Sequence, residues 1–108
     1  MRLIILVAAI LAVGGAVMAD AADDAAAEAL LKKSKCLTCH SIDKKKDGPA
    51  YKEVAKKYAG KPDAEQKLYT HLTTHPTVKV DGKEEKHESL KTTDDKEIKN
   101  VISYILSR

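Results

Sequence analysis

The chain has 108 residues and a formal net charge of +3. One small domain is the default at that length, and so mild a charge does not suggest a nucleic-acid-binding protein. Phe and Trp are absent and there are only two cysteines, so one short disulfide at most is available to support a marginal core.

In chain order, residues 1–19 read as a secretory signal peptide. Arg2 is a minimal charged start, Leu3 to Val13 is an unbroken apolar run, and Val17-Met18-Ala19 offers small residues before a cut. The run is a little short for a spanning helix, so the expectation is export to the periplasm and a soluble mature domain, 20–108, with no membrane attachment after cleavage. Asp23 or Asp24 is expected to cap a first helix running from Ala25 to about Lys35, acidic at its start and basic at its end. Next comes Cys36-Leu37-Thr38-Cys39-His40, then a polar loop closed by Gly48-Pro49.

Ala50 to Tyr58 carries Tyr51, Val54, Ala55 and Tyr58 at helical spacing. A third helix starts at Pro62-Asp63, with Asp63 and Gln66 at capping-box spacing, and ends before Pro76. Residues 75–92 form a long polar segment with a turn at Asp81-Gly82 and a scrap of extended chain around Val78 and Val80. Segments of that length usually have a job. Thr92 or Thr93 is expected to cap a last helix with Ile98, Val101, Ile102, Ile105 and Leu106 on its apolar face. The fold class is all-α, with about four helices.

Cys-x-x-Cys-His can serve three chemistries. Covalent haem attachment needs two thiols for two vinyl groups and an imidazole beneath the iron, and the motif supplies all three in one turn. A closed zinc site would need two more ligands from His71, His75 and His87, and a thioredoxin-like dithiol would need a βαβ context that the pattern lacks. Export and helical context favour haem.

With those residues in place, the chain resembles class I monohaem c-type cytochromes of the c551/c5 kind. KCLTCHSIDKKKDGPAYKEVAKKYAG is similar to the family's haem-binding half, KPDAEQKLYTHL to its third helix and TTDDKEIKNVISYILSR to its last. The resemblance implies crossing N- and C-terminal helices around one covalent haem c, with Tyr104 in the crossing near Leu30. It implies thioethers at Cys36 and Cys39, His40 as proximal iron ligand, Pro49 packing against it, and a nearby carbonyl accepting the His40 Nδ1 proton.

One feature departs from the family, whose sixth ligand is usually a Met in the loop before the last helix. The only methionines here are Met1 and Met18, both in the leader. His87 occupies the corresponding stretch and is the expected distal ligand, with His75 as fallback; exposure is expected of His71 and His75 otherwise. The expected function is a monomeric, non-enzymatic single-electron carrier with two histidines on the iron, whose acidic redox partners dock near Lys44, Lys45 and Lys46. The alternative is a gas-binding or peroxidatic haem protein with a labile or open sixth position.

Overall fold

A computed structural model describes residues 22–108; the expected signal peptide lies outside them. Helix α1 spans Asp24–Lys33, α2 Tyr51–Tyr58, α3 Ala64–Thr73 and α4 Asp95–Leu106. A single 3-10 turn, Cys36–Thr38, follows α1, and a hairpin of β1 (Thr77–Val80) and β2 (Lys83–Lys86) lies between α3 and α4. Among the described residues no helix is long and apolar enough to cross a membrane.

Helix α1 begins where Asp23 accepts a hydrogen bond from the Ala26 amide at 3.1 Å. This satisfies one of the amides that a helix start leaves open. Its end is sharp because Lys35 takes φ 61°, a left-handed position where glycine is commoner, and its amide reaches back to the Lys32 carbonyl. The chain therefore turns straight into the cysteine motif.

Two caps differ from expectation. Asp63 stands at the start of α3 with φ −96° and ψ 4° rather than extended backbone, and its side chain makes no cap bond. It pairs with Lys67 at 3.1 Å instead. At α4 the cap is Asp94, not Thr92 or Thr93: its carboxylate accepts from the Lys96 and Glu97 amides at 2.9 and 3.3 Å. Thr92 supports it by accepting from the Asp94 amide.

Helix α4 packs against α1, α2 and α3. Ile98, Val101, Ile102, Tyr104 and Ile105 are buried on its inner face, with Ala27, Leu30 and Leu31 of α1 in the same core. Leu106 is only half-buried. Polar bonds lock the α1–α4 pairing: the Asp23 amide donates to Asn100 Oδ1 and Asn100 Nδ2 donates back to the Asp23 carbonyl, at 2.8 and 2.9 Å. Tyr104 donates to Glu28 at 3.0 Å.

The 75–92 segment is more ordered than its sequence suggests. β1 and β2 pair antiparallel, Thr77 opposite Lys86 through Val80 opposite Lys83. Asp81 and Gly82 both have positive φ, 50° and 78°, the requirement of the tight two-residue hairpin turn. β2 reads Lys-Glu-Glu-Lys and is wholly exposed, so it carries none of the apolar alternation that marks a strand.

Candidate functional site

The 3-10 turn folds the motif back on itself, with the His40 amide donating to the Cys36 carbonyl at 3.0 Å. Cys36 is buried, Cys39 is half-buried, and both thiols are free. Burial pushes the Cys36 thiol up to about 11, so it is protonated at neutral pH, unlike a reactive dithiol.

His40 is held from three sides. Its Nδ1 lies 2.7 Å from the Pro49 carbonyl, an acceptor that places the proton on Nδ1 and leaves Nε2 free to bind a metal. The Tyr51 ring stacks on it at 5.1 Å between centroids and 17° between planes. Gly48 closes the third side: a Cβ there would stand 2.5 Å from His40 Cε1. Burial raises the Tyr51 phenol above its ordinary range, so the stacked ring is neutral.

These groups form one wall of a cavity of about 760 Å³, within the size of small-molecule and cofactor sites, roughly 300–1,000 Å³. Leu68 and Leu72 of α3 and Ile105 of α4 contribute apolar surface, and Val78 and Val80 line it from the hairpin. His71 and His87 line it as well. Their rings pack together with centroids 4.1 Å apart.

The His40 and His87 ring centroids are 6.1 Å apart, with planes at 59°. Two imidazoles that bind one ion through nitrogens at about 2 Å hold their centres roughly 6 Å apart. Nδ1 of His87 is a buried polar atom with no hydrogen-bond partner among the described residues. Burial, reinforced by His71 and His40, pushes this imidazole down to about 4, and burial lowers His71 too. Both rings are therefore neutral at pH 7, the form that donates a lone pair to a metal. Two thiols, an oriented imidazole and a second neutral imidazole facing it across an apolar cavity fit a covalently attached haem.

His71 is not exposed as expected; it is half-buried in the cavity wall. Its place in the last turn of α3, one turn before the chain leaves for the hairpin, was the available sign. His75 is exposed, and its Nδ1 lies 3.2 Å from the His87 carbonyl. Lys44, Lys45 and Lys46 are exposed. The Lys46 ammonium donates to the Leu37 carbonyl at 3.1 Å. Lys35 and Lys57 stand at the cavity itself. Tyr51 and Gly48 carry roles that spacing does not reveal, since the first reads as a core residue of α2 and the second as an ordinary turn.

A family model described as Cytochrome c matches residues 25–108. The chain is 47% identical to cytochrome c-551 of Stutzerimonas stutzeri over 62 residues, 57% of this chain and 60% of that protein. It is 57% identical to cytochrome c-552 of Hydrogenobacter thermophilus over 37 residues, 34% and 38% of the two chains. The matched stretches thus span less than two thirds of these relatives' own length. Among solved structures, the class 1 cytochrome MtoD from Sideroxydans lithotrophicus ES-1 superposes with a TM-score of 0.77 at 46% identity, over 81% of this chain and 97% of that one. Wild-type Nitrosomonas europaea cytochrome c552 superposes with a TM-score of 0.58 at 29% identity, over 74% and 96%.

Proposed function

The chain belongs to the cytochrome c family, whose members carry one covalently attached haem c, and on that footing we propose that it is an exported, periplasmic single-electron carrier with two axial histidines. Cys36 and Cys39 would hold the haem as thioethers, and His40 and His87 would supply imidazoles to its iron. The observation that carries this is the 6.1 Å spacing of the His40 and His87 rings. The apolar leader in the sequence supports export.

Bound here, the haem supplies reversible one-electron exchange at iron. The chain does the rest. With His40 and His87 both binding the iron, no position would be open for substrate, and an electron would enter or leave with little rearrangement. The Pro49 carbonyl makes His40 a better donor by accepting its Nδ1 proton. The apolar wall from Leu68, Leu72, Val78 and Ile105 keeps water back, which helps set the potential.

Optical and electron-spin spectra of the purified holoprotein test this reading. The expected result is a six-coordinate low-spin iron in both oxidation states, unchanged by carbon monoxide. A ferrous form that binds carbon monoxide rapidly would favour a gas-binding protein instead. The pH dependence has a definite sign. His87 contributes to the folded site as a neutral ring, so its contribution is complete above pH 6.5 and is lost as pH falls through about 4. Iron ligation requires the same neutral form and pushes the loss lower still. A titration should therefore find the low-spin spectrum intact from pH 7 down to at least 4. Conversion to high spin near pH 6 would count against His87 as the ligand.

Redox partners are acidic and dock on the lysines beside the motif. Lys44, Lys45 and Lys46 are exposed there, and Lys35 and Lys57 bring positive charge to the cavity. Reversing Lys44, Lys45 and Lys46 to glutamate should slow electron transfer to an acidic partner protein about tenfold or more at low salt. The difference should shrink toward physiological ionic strength. An unchanged rate and salt slope would remove this face from consideration.

A further inference from the structure

His87 stands at the base of the hairpin, one register step beyond the Thr77–Lys86 pair. Its amide donates to the Pro76 carbonyl at 2.8 Å, continuing the ladder. Its carbonyl has a different partner: Nδ1 of His75, at 3.2 Å. Nothing but a donor can serve a carbonyl, so the His75 proton sits on Nδ1. The His75 amide donates in turn to Ser89 Oγ at 3.2 Å. His75 thus grips the chain at the His87 carbonyl and again two residues on.

The grip depends on an unusual backbone. His75 has φ 48°, in the left-handed region that non-glycine residues seldom enter, although Asn, Asp and His do so most readily. That conformation turns the chain at the end of α3 so that side chain and amide both face the returning strand. Further along, the Leu90 amide donates to the Leu72 carbonyl at 2.9 Å and the Lys91 amide to the buried Ser34 Oγ at 2.9 Å. These fix the far side of the segment to α3 and to the turn that carries Cys36. The near side, at His87 itself, is fixed by Pro76 and His75.

The His87 ring lacks what the His40 ring has. Nδ1 of His40 meets the Pro49 carbonyl, whereas Nδ1 of His87 has no hydrogen-bond partner among the described residues. A metal-bound histidine is ordinarily oriented through its second nitrogen; for His87 no well-formed bond of that kind is present among the described residues, so the hold on its main chain gains weight. We infer that His75 is a positioning residue for the distal ligand: its imidazole holds the His87 carbonyl and its amide the Ser89 hydroxyl, and together they slow the departure of the His87 ring from iron. The inference rests on the reading of His87 as that ligand. It gives His75 a role other than ligation.

The test follows displacement of the sixth ligand by excess imidazole in the ferric holoprotein, in parallel with thermal unfolding. His75→Ala removes the side-chain bond and disfavours the left-handed backbone. It should speed displacement about threefold to tenfold, the factor expected for losing one or two exposed hydrogen bonds, with the resting low-spin spectrum retained. His75→Asn keeps an N–H donor and tolerates positive φ, and should restore a rate within about twofold of wild type. Ser89→Ala should give a smaller acceleration. A purely structural role would lower the melting temperature of His75→Ala without changing the displacement rate, and that outcome would overturn the clamp. His87→Ala separates the two readings. If it turns high-spin while His75→Ala exchanges like wild type, the clamp alone fails. If it keeps the wild-type spectrum, the ligand reading fails, and a high-spin His75→Ala would then make His75 the ligand.

Discussion

His87→Ala should convert the iron from six-coordinate low-spin to a high-spin form that binds carbon monoxide stoichiometrically in the ferrous state. The neighbouring imidazoles are not equivalent substitutes. His71 packs against the His87 ring at 4.1 Å but hangs from α3, whose main chain is fixed by its own hydrogen bonds. His75 is exposed, with its Nδ1 engaged by the His87 carbonyl. His87→Met provides the complementary result: six-coordination kept, and a reduction potential raised by on the order of 100 mV, because an axial thioether favours the ferrous state relative to imidazole. Equilibrium redox titration of the two variants beside the wild type checks both. An Ala variant that stays low-spin, or a Met variant with a lowered potential, would refute the axial assignment.

Gly48→Ala is the second large expected effect, and it acts on the opposite side of the iron. The added methyl would lie 2.5 Å from Cε1 and 2.9 Å from both ring nitrogens of His40. A flexible side chain could move aside, but this ring cannot. It is fixed by the Pro49 carbonyl at 2.7 Å and by the Tyr51 ring behind it. The methyl must therefore push the imidazole off its acceptor or displace the backbone of the loop. Overpacking of this kind costs about 1–3 kcal/mol, and losing the Nδ1 bond adds about 1 more. The expected result is a holoprotein melting at least ten degrees lower, roughly what 2 kcal/mol does to a domain of this size, with a perturbed low-spin spectrum. Gly60 and Gly82 offer the control. Both have positive φ and nothing near the added carbon, so alanine there should cost only about 1 kcal/mol of backbone strain and leave the spectrum alone. A Gly48→Ala protein indistinguishable from wild type would mean that the loop is looser than its hydrogen bonds imply.

The helices were legible because apolar spacing in Tyr51–Tyr58 and Ile98–Leu106 has only one good burial solution. The family resemblance extended that to the packing of α1 on α4. The caps were less legible. Asp63 and Asp94 are the same residue type before similar helices, yet only Asp94 has the extended backbone that aims its carboxylate at the amides. The turn at Asp81-Gly82 and the extended chain at Val78 and Val80 were legible; the second strand was hidden for a different reason, being exposed on every residue, so no buried face imposes a period on the sequence. At the candidate site, Cys36, Cys39 and His40 stand out as candidates by spacing, and His87 as a candidate because its stretch lacks methionine. Tyr51, Gly48, His71 and His75 do not, because their roles depend on distances across the cavity rather than along the chain.

The two imidazoles come from distant parts of the chain, residues 40 and 87. With both on one iron, the metal closes a loop of about 47 residues, much as a disulfide would. By the chain-entropy account, a cross-link of that span removes about 4 kcal/mol of freedom from the unfolded ensemble. That is a large fraction of the stability of any small domain, and it comes from a bond that can be broken by chemistry rather than by heat. With that ligation, resistance to unfolding and redox chemistry would share one bond: any reagent that unseats His87 should loosen the whole fold as well as expose the iron.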